Sequence, residues 1–197
     1  MSALPKRYFT PEEYLELECK ADYKSQYVAG EIYAMSGAQS PHVLIQCNLI
    51  GELRNLFRGK TCNVFSSDMR VRASRSEMYT YPDASALCDK PKFDHSSKPE
   101  SLLNPQVIFE VLSPSTEAFD RGDKFARYRQ IESLTDYVLV SSEQMRVEHY
   151  VRLEGGPWLL TEYNQPEHRV PLCSVNCELL LTEIYLQVEF SGDGRAS

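Results

Sequence analysis

The chain of 197 residues predicts a mixed α/β fold, a central mixed β-sheet flanked by helices with additional β-hairpins. Three observations carry this. The run 106–112 (Gln-Val-Ile-Phe-Glu-Val-Leu) is apolar on both alternating sets and stops at Ser113-Pro114-Ser115, so it reads as a central strand covered on both faces. A helix-patterned segment and a second apolar strand, 137–140, follow it, which is the pattern of a parallel crossover. Short strands on either side of Ala29-Gly30, and again on either side of 154–157, read as hairpins.

Taken in order, residues 1–7 form a loose terminus. Thr10-Pro11-Glu12-Glu13 is a compact helix start: a Thr cap, Pro in the first helical position, and Glu three residues after the cap. That helix runs to about Cys19. The hairpin 25–35 follows, with Glu31, Tyr33 and Met35 sharing one face of its second strand. Ser40-Pro41 opens a second helix reaching Arg58-Gly59. Its apolar face holds Val43, Leu44, Ile45, Leu49, Ile50, Leu53, Leu56 and Phe57, and His42 stands in line with Ile45, Leu49 and Leu53. His42 is read either as a local hydrogen bonder at the helix entrance or as a polar group at the rim of a site.

Strand segments are expected at 62–67 and 69–72, with Arg70, Arg72 and Arg75 as local positive charge. Pro82 removes a ladder donor and marks a strand start, an edge or a bulge, with Asp83 directly after it. Residues 89–105 read as a long polar connector within one domain. After the central strand, Ser113 and Ser115 are expected to cap a helix entered at Asp120-Arg121-Gly122-Asp123-Lys124. That helix runs to about Glu132 on a core stripe of Phe125, Tyr128 and Ile131. The hairpin 146–163 and a short helix, 179–185, complete the chain, and 192–197 fray. This is one domain, 1–197, with its core over about 10–190.

Composition narrows function. Hydrophobic residues make up 42% and charged ones 25%, the balance of a folded globule. A net charge of −7 speaks against coating nucleic acid through bulk charge, so a nucleic-acid role requires a local basic face. No apolar run approaches the ~18 residues of a membrane span, and no secretory leader precedes the first helix. The six scattered cysteines then imply reduced, buried thiols in a cytoplasmic protein. Cys173 and Cys177 lack a partner pair at zinc-ligand spacing.

Glu110 is the chemically informative residue. It occupies an apolar position of a central strand, together with Ile108 and Leu112, where an isolated carboxylate is costly and must be neutralised, paired or bound to a cation. An ion pair with Arg70 or Lys124 is one reading. The other places Asp83 on a neighbouring strand and Lys124 on the following helix. Two carboxylates, with the Val111 carbonyl, then hold a hard divalent cation, Mg or Mn, and the ammonium orients water or stabilises phosphate charge. The two acids lack the aromatic platform of a glycosidase.

Tyr-Pro-Asp-Ala at 81–84, Phe-Glu-Val-Leu-Ser-Pro-Ser-Thr at 109–116, and Asp-Arg-Gly-Asp-Lys at 120–124 with Tyr128 resemble the Uma-two family. These are restriction-endonuclease-like proteins of the PD-(D/E)xK nuclease superfamily. Gly30-Glu31 and Ser40-Pro41-His42 match as well, so the resemblance covers about Thr10 to Leu153. It implies a restriction-endonuclease-like sheet with a divalent-metal site acting on DNA. Asp83 and Glu110 are the motif acids and Glu31 an additional acid, while His42 and Tyr128 lie at the rim. The lysine expected two residues after Glu110 is Leu112 here, and Lys124 on the following helix takes its place. The alternative is a catalytically silent member of the fold that binds nucleic acid or a protein. A homodimer built on the apolar C-terminal segment is a further expectation.

Overall fold

The computed structural model describes residues 7–73 and 77–190. Arg75 and the two chain ends (1–6 and 191–197), which the sequence reading included, lie outside the described residues. Helix α1 (Pro11–Lys20) starts on the reciprocal box read from the sequence. The Thr10 hydroxyl accepts from the Glu13 N–H, and the Glu13 carboxylate accepts from the Thr10 N–H. The hairpin of β1 (Ser25–Val28) and β2 (Glu31–Ala34) turns at Ala29 and Gly30, both with positive φ. Helix α2 (Ser40–Leu56) buries Ile45, Leu49 and Leu53 but leaves Val43 and Leu44 exposed, so its apolar face is narrower than the sequence suggests.

Next come β3 (Asn63–Ser66), β4 (Arg70–Ala73), β5 (Met78–Thr80) and β6 (Ala84–Leu87). The expected connector at 89–105 is not wholly loop. It contributes β7 (Phe93–Asp94) and β8 (Ser101–Leu102), which extend the sheet beside β4. What fixes this segment is Arg70, which is fully buried. Its guanidinium donates to Ser97 Oγ, Ser101 Oγ and the Pro99 carbonyl, and lies over the Tyr79 ring.

The central strand is β9 (Val107–Leu112), buried along its whole length. It is followed by α3 (Glu117–Phe119), a π-helical segment (Asp120–Lys124) and α4 (Phe125–Tyr128). The helical run thus starts earlier than expected and ends at Tyr128 rather than near Glu132. The Arg152 guanidinium closes the turn after it by donating to the carbonyls of Arg129, Ile131 and Glu132. Nor do Ser113 and Ser115 cap it. Their hydroxyls bond each other, and the Ser113 carbonyl takes the Thr116 and Glu117 N–H groups.

Strand β10 (Asp136–Ser141) pairs in parallel with β9, the expected crossover. Then come β11 (Val147–Arg152), β12 (Trp158–Tyr163), β13 (Arg169–Leu172), β14 (Cys177–Leu180) and α5 (Leu181–Ile184). Leu179, expected to open the last helix, lies in β14. Asp136 ties this tail to the sheet, accepting from Ser174 Oγ at 2.6 Å and Thr135 Oγ1 at 2.7 Å, with His149 Nε2 at 2.8 Å.

Two six-stranded mixed sheets result, in orders β2-β1-β5-β4-β8-β7 and β12-β11-β10-β9-β6-β3, with β13–β14 as a separate pair. Alternation along β9 divides the core. Val107, Phe109 and Val111 meet α2 and the C-terminal elements, whereas Ile108 and Leu112 meet α4 and the first sheet. The apolar C-terminal segment, on which the dimer expectation rested, packs in large part on this chain's own core, with Leu186 left exposed. Leu181 and Ile184 are buried there, and Val188 and Phe190 pack on it. The thiol expectation is also corrected. The antiparallel register Asn63↔Leu87 brings the flanking Cys62 and Cys88 together as a disulfide, while Cys19, Cys47 and Cys173 are exposed. Among the described residues, no helix is long and apolar enough to cross a membrane.

A Cβ at Gly30 would stand 2.9 Å from Tyr8 Cδ1, on a backbone with φ of +93°. Gly30→Ala is expected to cost about 1 kcal/mol or more in chemical denaturation, because both the turn and the approach of Tyr8 require glycine.

Candidate functional site

The break at Pro82 ends one sheet segment and lets β6 enter the second sheet beside β9. The register Ala84↔Phe109 makes Asp83 and Glu110 the next facing pair, at the end of the ladder. Asp83 is held from two sides. Its Oδ2 accepts from the Val111 N–H at 2.7 Å. Its Oδ1 lies 2.9 Å from His42 Nε2 and accepts from Gln46 Nε2 at 3.2 Å, and Gln46 also donates to the Asp83 carbonyl at 2.9 Å. His42 therefore reaches across to a strand acid rather than bonding within its own helix.

Glu110 is only 3% exposed, and its partner is Lys124, not Arg70. Lys124 Nζ lies 2.8 Å from Glu110 Oε1 and 3.0 Å from Asp120 Oδ1, and the Tyr128 hydroxyl donates to Glu110 Oε1 at 2.9 Å. Tyr128 is fully buried, so it forms the floor of this group instead of its rim. Leu112, two residues beyond Glu110, is packed in the apolar cluster. The ammonium beside Glu110 is thus supplied from the helical run and not from the strand.

Glu31 enters from the hairpin. Its carboxylate accepts from the Tyr33 hydroxyl at 2.5 Å, and the Tyr33 ring packs against Phe119, just before the π-helical segment. This contact links the hairpin to the start of the helical run. A second ion-pair set joins the same helix to the sheet: Arg121 pairs with Glu117 at 2.7 Å and with Glu148 on β11.

Burial dominates the electrostatics. It pushes Glu110 up from 4.5 to about 8, with the Asp120 and Asp83 charges adding to the rise and Lys124 opposing it. For Lys124 burial acts against the charge, yet Glu110 and Asp120 outweigh it and hold the ammonium above its ordinary value. Two carboxylates, Glu110 and Asp120, share the Lys124 ammonium, while Asp83 is held by His42, Gln46 and the Val111 N–H. Among the described residues no cluster of three or more His, Cys, Asp or Glu side chains is arranged as a metal site. Carboxylates such as Asp83 and Glu110 are hard oxygen donors of the kind Mg²⁺ takes, with waters completing its shell.

Residues 11–182 match the family described as "Putative restriction endonuclease", Uma2. The chain belongs to this family. Two relatives from Synechocystis sp. (strain ATCC 27184 / PCC 6803 / Kazusa) extend over most of it. "Uncharacterized protein slr1290" is 36% identical over 92% of this chain and 93% of its own length. "Uncharacterized protein sll1609" is 38% identical over 79% of this chain and 88% of its own. Among solved structures, a putative nuclease belonging to DUF820 from Anabaena variabilis ATCC 29413 shares the fold. Its TM-score is 0.74 at 17% identity, covering 90% of this chain and 97% of that one.

The Uma2 pattern at 109–124 thus coincides with the buried acid–lysine group. Two of its participants escaped the sequence reading as site residues. Asp120 was legible in principle, since it precedes Lys124 by four residues on one helical face. Gln46 was not, because nothing in a helix pattern distinguishes one polar residue from its exposed neighbours.

The proton balance of Glu110 gives a stability signature. A carboxylate raised in the fold favours the folded state below 4.5 and loses that contribution as pH rises toward about 8. Glu110→Gln removes this dependence. In thermal unfolding with EDTA, the difference between variant and wild type is expected to shift in favour of Glu110→Gln across that window.

Proposed function

We propose that this chain is a divalent-metal-dependent endonuclease that hydrolyses DNA phosphodiester bonds. The observation that carries the reading is the buried Glu110–Lys124 pair beside Asp83, at the carboxyl end of a central strand, in a chain of the Uma2 family. Asp83 and Glu110 would hold a Mg²⁺ or Mn²⁺ ion, with the Val111 carbonyl as a backbone ligand. When bound, the ion lowers the pKa of a water and polarises a phosphoryl oxygen.

The chain's own residues do the rest. Three donors fix the Asp83 carboxylate, from Val111, His42 and Gln46, so its oxygens need little reorganisation. Lys124 and Tyr128 both engage Glu110 Oε1, so an ion held by Glu110 would share this carboxylate with the ammonium. The Lys124 ammonium, shielded from solvent, stabilises charge developing on the scissile phosphate more strongly than an exposed lysine would. Glu31 is an additional acid on the outer side of the site, acting through water.

The second reading, a catalytically silent nucleic-acid- or protein-binding member of the fold, draws on Leu112. The strand position of the superfamily's usual lysine is apolar and packed here. Lys124 decides between the two readings if it performs the work of that lysine.

Wild-type protein is expected to nick supercoiled plasmid in Mn²⁺, with Asp83→Ala and Glu110→Ala each reducing the rate by roughly 10²-fold or more. Undiminished nicking by both folded variants would remove the nuclease assignment. Lys124→Ala should likewise lose cleavage without losing Mn²⁺ affinity in calorimetry. DNA binding should weaken steeply as salt rises, through counterion release.

A further inference from the structure

We infer that Asp120 is the positioning residue for Lys124: it holds the ammonium when a cation takes Glu110. The inference rests on Glu110 being a cation ligand and goes beyond it by assigning a job to an acid that the nuclease reading leaves unused.

The geometry is that of a shared ammonium. Lys124 Nζ stands 2.8 Å from Glu110 Oε1 and 3.0 Å from Asp120 Oδ1, and the three residues are 6%, 3% and 3% exposed. With Glu110 as its sole partner, Lys124 would compete directly with a cation for that carboxylate. Cation binding would then leave a buried ammonium uncompensated next to a divalent charge, which is strongly unfavourable. Asp120 removes the conflict, because the ammonium keeps a full carboxylate partner whichever state Glu110 is in.

Asp120 is itself anchored. Its carbonyl accepts from the Tyr137 hydroxyl at 2.9 Å, and it opens the π-helical segment that Lys124 closes, so both residues are set by the same turn. The neighbouring cation is not available to it: Arg121 is turned outward to Glu117 and Glu148. The carboxylate of Asp120 therefore serves Lys124.

A double-mutant cycle on the full-length chain tests this, with Mn²⁺ titrated by calorimetry into metal-free wild type, Asp120→Asn, Lys124→Ala and the double variant. In the wild-type background Asp120→Asn should weaken Mn²⁺ binding by roughly tenfold, because Lys124 then closes fully on Glu110. In the Lys124→Ala background the same substitution should change affinity by less than about twofold. Equal losses in both backgrounds would make Asp120 a cation ligand or a simple charge effect, and would overturn the inference, as would no loss in either. Glu110→Gln is the separate control. If it binds Mn²⁺ as wild type does, the ligand reading of Glu110 fails, independently of the cycle. Asp120→Ser enters the same cycle if Asn is not accommodated, with circular dichroism confirming the fold of each protein.

Discussion

A carboxylate with almost no solvent access sits in the middle of this molecule, and much of the fold can be understood as the means of keeping it there. Glu110 lies on a strand buried on both faces, where water can contribute little to its charge. Compensation must come from the protein, and it comes from one short helical run. Lys124 and Tyr128 reach Glu110 Oε1 from adjacent turns of that run, while Arg121 joins the run to Glu148 on β11. The parallel crossover from β9 to β10 is the covalent reason this helix lies over that strand face.

The same arrangement explains the departure at position 112. Leu112 contributes to the apolar cluster that seats Phe125 and Tyr128, so the strand end is used for packing. The ammonium arrives from the side of the helix instead of along the strand. The ammonium compensates Glu110 from there as well as it would from the strand, since electrostatics depends on position and not on the chain segment that supplies the charge.

The outer parts of the site are built on the two elements that most constrain Asp83. Helix α2 delivers His42 and Gln46 from its first turns, and the end of the β6–β9 ladder delivers the Val111 N–H. One acid is thus held by neutral or titratable donors at a partly open edge, and the other by a buried ammonium. The Tyr33–Phe119 contact ties the β1–β2 hairpin to the helical run.

Periodicity and caps alone determined the helix starts at Thr10 and Ser40, the hairpins, the buried central strand and the crossover, because each depends on local spacing and turn chemistry. The same reading isolated Asp83, Glu110 and Lys124, since a carboxylate in an apolar strand is conspicuous in one dimension. It did not separate an ion pair with Arg70 from one with Lys124. That choice follows from Arg70 being consumed by Ser97, Pro99 and Ser101, residues that the reading treated as loop. Only the tertiary structure decided that 89–105 contributes strands, that Cys62 faces Cys88, that the C-terminal apolar residues fill this chain's own core, and that Gln46 and Asp120 join the site. In each case the deciding contact is between segments distant in sequence, or depends on how a helix is rotated against a sheet. Local patterns fix which face of an element is apolar, but only packing fixes what that face meets.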